Sequence, residues 1–454
     1  MLQVINPATE EVISELKTDT EESIQEKFKK AKKAQILWEQ KPYKERKKTI
    51  EQFKQLLETQ IEELSKTLSE EVGKPLRQAR NEILATRGRI DFFLEHTEKL
   101  MNEESVYRDE NIEERITYEA LGVIANISAW NYPYFVGSNV FIPALLTGNA
   151  VLYKPSEYAS MSGLKIAELL LESGVPDDIF TPIIGAKNVG ATLLQKKLDG
   201  VFFTGSYATG LKIAESSPVF ARLQMELGGK DPVYVTDDVD VKNSAISLAD
   251  GAFYNTGQSC CSVERIYVHE SIFEEFIVNF VSEVKSFKVG NPLEEDTYIG
   301  PLARKEQLDF LDKQIKDARS KGAKLLLGGK KIEGIGYYYE PTIFVEVTHE
   351  MLLMKEESFG PIIGIQKVQD DEKAINLMND TEYGLTAGVY CRNEARAKSI
   401  LKGIKTGTAY WNCCDRVSPR LPWSGRKNSG VGMTLSHLGI RAFLNARGWH
   451  LRKS

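Results

Sequence analysis

A chain of 454 residues, 42% of them hydrophobic, is long enough for two or three domains with substantial cores. Its 58 Lys and Arg against 64 Asp and Glu leave a formal charge of −6 with the two signs interspersed, which excludes the electrostatic footprint of a nucleic-acid binder and points to a small-molecule partner. Residues 1–7 have no basic or apolar leader, and the most apolar stretch, 136–153, is broken by Asn, Ser, Pro and Gly, so neither a signal peptide nor a membrane span is expected. The five cysteines fall as Cys260-Cys261, Cys391 and Cys413-Cys414, which suits neither a disulfide framework nor a Cys-x-x-Cys metal site. The histidines show no ligand spacing, so no metal is expected, and a reducing cytoplasm is the expected setting.

From Thr18 to about Leu100 the sequence is charged, with apolar residues at helical spacing (Ile24, Phe28, Ala31, Ala34, then Ile50, Phe53, Leu56, Leu57). It reads as long amphipathic surface helices, with function expected further on. Residues 114–119 alternate like a strand, and 122–128 form an apolar strand that ends in Ala129-Trp130-Asn131-Tyr132-Pro133. A helix (135–146), a strand (150–153) closed by Lys154-Pro155-Ser156-Glu157, and a helix (161–172) follow. Strand 180–184, helix 189–195, strand 201–203 and helix 209–214 repeat the alternation, which indicates a parallel α/β sheet with ligands at the carboxyl ends of its strands.

The turn Thr204-Gly205-Ser206-Tyr207-Ala208-Thr209-Gly210 offers glycines and a helix N-terminus to an anion, although it lacks Gly-x-Gly-x-x-Gly; an ordinary capping turn is the alternative. After a strand at 222–225, closed by Glu226-Leu227-Gly228-Gly229-Lys230, a second α/β segment runs from 231 to about 412 and makes a second domain. Within it, Phe253-Tyr254-Asn255-Thr256-Gly257-Gln258-Ser259-Cys260-Cys261-Ser262 lies between a helical pattern (241–252) and a β-branched strand (263–268). A thiol just after a Gly-Gln turn can be presented at a cleft, which makes Cys260 a candidate nucleophile; a small buried apolar residue is the competing reading.

Several motifs then coincide in order: Asn6-Pro7-Ala8-Thr9, Ala129-Trp130-Asn131-Tyr132-Pro133, Lys154-Pro155-Ser156-Glu157, Phe203-Thr204-Gly205-Ser206, Glu226-Leu227-Gly228-Gly229-Lys230, Gly257-Gln258-Ser259-Cys260, Glu356-Glu357-Ser358-Phe359-Gly360-Pro361 and Ser424-Gly425-Arg426-Lys427-Asn428-Ser429-Gly430. Together they resemble the NAD(P)-dependent aldehyde dehydrogenase superfamily over nearly the whole chain. The resemblance implies an α/β fold with a Rossmann-like cofactor domain (1–101 and 121–227), a catalytic α/β domain (228–430) and a small β oligomerisation element (102–120 and 431–454). It makes Cys260 the nucleophile, puts the Asn131 amide and the Cys260 N–H at the developing oxyanion, and makes Glu226 the base that activates water.

For the cofactor, the resemblance assigns Lys154 and Glu157 to the adenosine ribose, Gly205 and Ser206 to the pyrophosphate, Glu357 to the nicotinamide ribose and Phe359 to the side of the ring, with Ile127, Trp130, Gly185 and Leu227 completing the set. A carboxylate at Glu157 repels a 2′-phosphate, so NAD is favoured and NADP is possible.

The implied substrate is a small aldehyde and the implied assembly a homodimer or homotetramer. On the loop 412–423, Arg416 and Arg420 suit an aldehyde with a distal carboxylate, such as succinate semialdehyde, whereas Trp423 and Tyr134 suit an apolar or aromatic one. Asn139 stands where relatives acting on succinate semialdehyde tend to carry arginine. Pro422-Trp423-Ser424-Gly425-Arg426-Lys427 and Met433 also depart from the family pattern. An acylating relative using coenzyme A and an inactive structural relative are the competing classes, opposed by Glu226 and by the intact trio of Asn131, Glu226 and Cys260.

Overall fold

The computed structural model describes residues 1–453. A hairpin of Leu2–Ile5 and Val12–Leu16 leads into four helices, Glu21–Gln40, Tyr43–Thr59, Ile61–Val72 and Leu76–Met101. The first is fixed by a capping box, in which Thr20 and Ser23 each accept the other's backbone N–H. The last two are amphipathic with an exposed charged face, as the sequence reads, but their buried faces carry polar as well as apolar side chains. Leu76–Met101 buries Ala79, Ile83, Ile90 and Phe93, and with them the polar Gln78, Glu82, Thr86 and Arg89.

The first sheet has the spatial order Gly430–Val431, Arg222–Glu226, Gly200–Thr204, Val123–Ile127, Ala150–Lys154, Phe180–Pro182, with only the first strand antiparallel. Every residue of Val123–Ile127 and Ala150–Lys154 is buried, because helices cover both faces, and this is why these strands read as continuous apolar runs rather than alternating ones. From the central strand Val123–Ile127 the chain builds outward to one side, then returns to build Gly200–Thr204 and Arg222–Glu226 on the other. The crevice at that reversal is where an open α/β sheet takes a ligand.

The second sheet runs Lys324–Leu327, Thr342–Val345, Ile362–Val368, Arg265–His269, Pro232–Val235, Thr386–Tyr390, Thr408–Trp411, again with one antiparallel edge. Its contribution to the site comes from the amino ends of its strands: Cys260 precedes Arg265–His269, and Glu357 and Phe359 precede Ile362–Val368. The candidate residues of the first sheet thus stand at the carboxyl ends of its strands, and those of the second at amino ends. A third, antiparallel sheet joins Leu444–Arg452 to Ile112–Ala120 and Glu104–Arg108, with most of its side chains exposed or half-buried. No helix among the described residues is long and apolar enough to cross a membrane.

Candidate active site

The thiol turn begins where helix Val241–Phe253 ends. Asn255 and Thr256 take left-handed dihedrals, φ 53° and 59°, followed by Gly257 at φ 71°. A β-branched residue rarely adopts this conformation, so surrounding bonds must hold the turn. Gln78 Oε1 accepts the Asn255 N–H (2.8 Å), Thr256 Oγ1 accepts the Gly300 N–H (3.1 Å), and Gln258 Oε1 accepts the Ala303 N–H (3.0 Å). Gly257 is obligatory, since a Cβ there would collide with the Gly360 carbonyl.

The turn leaves Cys260 half-exposed and buries Cys261. The Cys261 thiol donates to Asp415 Oδ1 (2.9 Å); the neighbouring Cys260 sulfur, burial and the Asp415 charge hold it well above the usual thiol range. Of the two sulfurs, the accessible one is thus the one the sequence singles out.

Asn131 comes from the carboxyl end of Val123–Ile127 and is 4% exposed; its Nδ2 donates to the Gln258 carbonyl (3.1 Å), two residues before the thiol. The turn that carries it is pinned from behind. Lys74 Nζ donates to the Asn131 carbonyl (2.6 Å), pairs with the buried Glu82 carboxylate and lies 3.6 Å from the Tyr132 ring centre. Glu82 Oε1 in turn accepts the N–H groups of Tyr134 (2.9 Å) and Phe135 (3.2 Å), the otherwise unpaired donors that open helix Pro133–Leu146.

Glu226, the last residue of Arg222–Glu226, is 5% exposed. Its Oε1 accepts from Gln224 Nε2 (2.7 Å) and Thr434 Oγ1 (3.3 Å), while its buried Oε2 has no hydrogen-bond partner. Burial first, then negative charge on Cys260, pushes this carboxyl far above the usual range. One buried oxygen of Glu226 is thereby left without a hydrogen-bond partner among the described residues.

Glu357 is held by the Gly229 N–H (3.0 Å), and Gly228 must lack a side chain because a Cβ would strike the Glu357 carboxylate. Burial, and next the charge of Glu264, push its carboxyl up to about 8. Glu264 pairs with the buried Lys230 (2.6 Å) and accepts the N–H groups of Ser358 and Phe359 (3.0 Å each at the shorter contacts), which fixes the Phe359 ring edge-to-face on Trp130 at 5.5 Å.

The remaining cofactor candidates lie on the first sheet. Ser206 caps helix Tyr207–Ser216, and Leu227 packs against Gly210 of that helix. Ile127 and Lys154 end their strands, Gly185 (φ 151°) follows the edge strand, and Glu157 opens a turn capped by Ser156. Lys154 is 5% exposed, yet the Pro155 carbonyl (3.2 Å) is the only acceptor its ammonium reaches among the described residues. A buried ammonium with spare donors, a helix N-terminus and the adjacent Gly205 together fit the diphosphate and ribose of a dinucleotide.

The four substrate candidates are not brought together. Arg416 and Arg420 are exposed on their loop and form no ion pair among the described residues; the Arg416 guanidinium donates to the Asp415 carbonyl (3.4 Å). Trp423 is 6% exposed, its backbone paired both ways with Thr434. Tyr134 is buried in the core beside Glu71, and its hydroxyl has no hydrogen-bond partner. Asn139 accepts a hydrogen bond from Arg89.

Sequence reading missed Lys74, Glu82 and Arg89, which it assigned to surface helices, and Glu264 and Asp415. One signal was available: Gln78, Glu82, Thr86 and Arg89 recur every three or four residues, a polar stripe along one face of the helix.

Two α/β sheets that meet over a half-exposed thiol, a buried amide and a buried carboxyl define an α/β protein with a cysteine-centred site next to a dinucleotide crevice. The aldehyde dehydrogenase family model matches residues 1–448, and the chain belongs to that family. It is 35% identical over 440 residues to a betaine aldehyde dehydrogenase of Brucella anthropi (94% of this chain, 89% of the relative), and 33% identical over 457 residues to a lactaldehyde dehydrogenase of Escherichia coli (99% and 95%). Among solved structures it superposes on an E. coli NADP-dependent enzyme with a TM-score of 0.97 at 27% identity, covering 100% of this chain and 95% of that one.

Proposed function

We propose that the protein oxidises an aldehyde to a carboxylic acid through a thiohemiacetal and then a thioester on Cys260, with NAD as the preferred acceptor and NADP as the alternative. The sulfur adds to the carbonyl carbon, and the charge that develops on oxygen meets the Asn131 amide and the Cys260 N–H; one such donor contributes about 3 kcal/mol to the transition state. Bound NAD or NADP supplies the hydride acceptor. Glu226 then takes a proton from water, the water oxygen adds to the thioester carbon, and the carbon–sulfur bond breaks with its electron pair on sulfur; the proton on Glu226 passes to that thiolate, which releases the acid and returns the thiol.

The observation that carries this reading is the unpaired Oε2 of Glu226, buried beside Cys260. A water-activating base is of little use to an acylating enzyme. A half-buried carboxylate at Glu157 supports NAD over NADP. The preferred substrate class is an aldehyde with a distal carboxylate, such as succinate semialdehyde, drawn in by the unpaired guanidiniums of Arg416 and Arg420. The domain limits stated from the sequence, a cytoplasmic setting and a homodimer or homotetramer built through the exposed three-stranded sheet belong to the same reading.

The test is Glu226→Gln followed in pre-steady state. Reduced cofactor should appear in a burst of about one equivalent and then slowly, because the variant forms the thioester and fails to hydrolyse it. Because the carboxyl is held high, hydrolysis by the wild type should climb as pH rises through its titration and the base form accumulates, and the variant should lose that climb. Equal loss of burst and steady rate would assign the base elsewhere.

A further inference from the structure

Arg89 is a buried cation on the helix behind the Asn131 turn that forms no ion pair among the described residues. It lies two helical turns beyond Glu82 on the same face of Leu76–Met101, and is 2% exposed. Its guanidinium carbon sits 3.1 Å from the Phe135 ring centre, and Nη1 donates to the Phe135 carbonyl (2.9 Å) and to Asn139 Oδ1. Nε is buried with no hydrogen-bond partner, and no carboxylate pairs with the group among the described residues. The nearby acids are occupied: Glu82 by Lys74 and two backbone N–H groups, Asp415 by Ser259 (3.2 Å) and Cys261.

The bond from Arg89 to the Phe135 carbonyl places it at the first turn of Pro133–Leu146, directly after Asn131, whose amide reaches the thiol turn; burial draws the guanidinium down to about 9, and negative charge on Cys261 and Cys260 opposes that pull. A buried cation without a counter-charge is costly, and the fork formed by Nε and its neighbouring nitrogen is the edge that matches a carboxylate.

We propose that Arg89 is the specificity residue of this active site, binding the distal carboxylate of a short semialdehyde whose carbonyl is presented to Cys260. The assignment rests on the aldehyde-oxidising reading above. It gives Arg416 and Arg420 at most a role in attraction at the surface, and it makes a quaternary-ammonium aldehyde a poor substrate, because that cation would face an unpaired guanidinium.

The experiment compares kcat/KM for succinate semialdehyde and butanal in the wild type, in Arg89→Met, which keeps bulk and removes charge, in Arg89→Lys, and in Asn139→Asp, which gives Arg89 a partner within the protein. Succinate is tested alongside as a competitive inhibitor. In the wild type the acidic aldehyde should be preferred and succinate should inhibit. Arg89→Met and Asn139→Asp should each lose roughly 10- to 100-fold on the acidic aldehyde, mostly through KM, with butanal nearly unchanged and succinate no longer inhibiting. Arg89→Lys should recover part of the loss.

Parallel losses on both aldehydes in Asn139→Asp, or a wild type that oxidises butanal without preferring the acidic aldehyde, would overturn the Arg89 assignment and leave aldehyde oxidation at Cys260 standing. A wild type that oxidises no aldehyde with either cofactor overturns both.

Discussion

Replacing Lys74 by methionine tests whether the pinned turn behind Asn131 matters to both fold and rate. Both side chains of the Lys74–Glu82 pair are fully buried, so removing the cation leaves a carboxylate in the core with only two backbone N–H groups to hold it. Breaking a buried pair in this way costs about 3–5 kcal/mol. The lost bond to the Asn131 carbonyl falls within that range rather than adding to it.

Spread over an unfolding entropy of roughly 1 kcal/mol/K for a chain of this length, the loss corresponds to a fall in Tm of about 4 °C. Calorimetry or circular dichroism reads that shift. The rate of thioester formation reads the second effect, because a loosened Asn131 no longer aims its amide at the oxyanion, and a fall of about 100-fold in kcat is expected. The double variant Lys74→Met with Glu82→Gln removes the uncompensated charge, so it should regain most of the stability while the rate stays low. A single variant as stable as wild type, or a double variant no more stable than the single, would refute the account.

Three further outcomes are expected. Cys260→Ala should abolish turnover while a fluorescence titration still shows NAD binding, and Cys261→Ala should keep most activity, since the Cys261 thiol is buried and held protonated by its neighbours. Glu157→Ser should raise the kcat/KM ratio for NADP over NAD by removing the charge that repels a 2′-phosphate; an unchanged ratio would place the preference in other groups. Ending the chain after Ala442 deletes Leu444–Arg452 and leaves the whole length of Ile112–Ala120 unpaired on one side, so light scattering should report aggregates or a smaller assembly, and an unchanged native mass would remove that strand from the interface.

The sequence alone determined the alternation that makes parallel sheets, because a strand buried on both faces is written as an unbroken apolar run and its covering helices as amphipathic ones. It also carried the candidate nucleophile, amide and base, since Cys260, Asn131 and Glu226 each sit in a short contiguous motif. Only the tertiary structure decided what surrounds them. Lys74, Glu82 and Arg89 look like ordinary charges on a solvated helix until Leu76–Met101 is laid against Pro133–Leu146, because burial is a property of a face's partner and not of its composition. The same holds for the loop arginines. Arg416 and Arg420 read in the sequence either as anchors or as locally paired and solvent-facing charges, and they stand exposed in the fold, whereas a buried guanidinium without an ion pair among the described residues comes from a helix more than three hundred residues earlier. Short-range chemistry is encoded by neighbours in the chain, and charge compensation by neighbours in space.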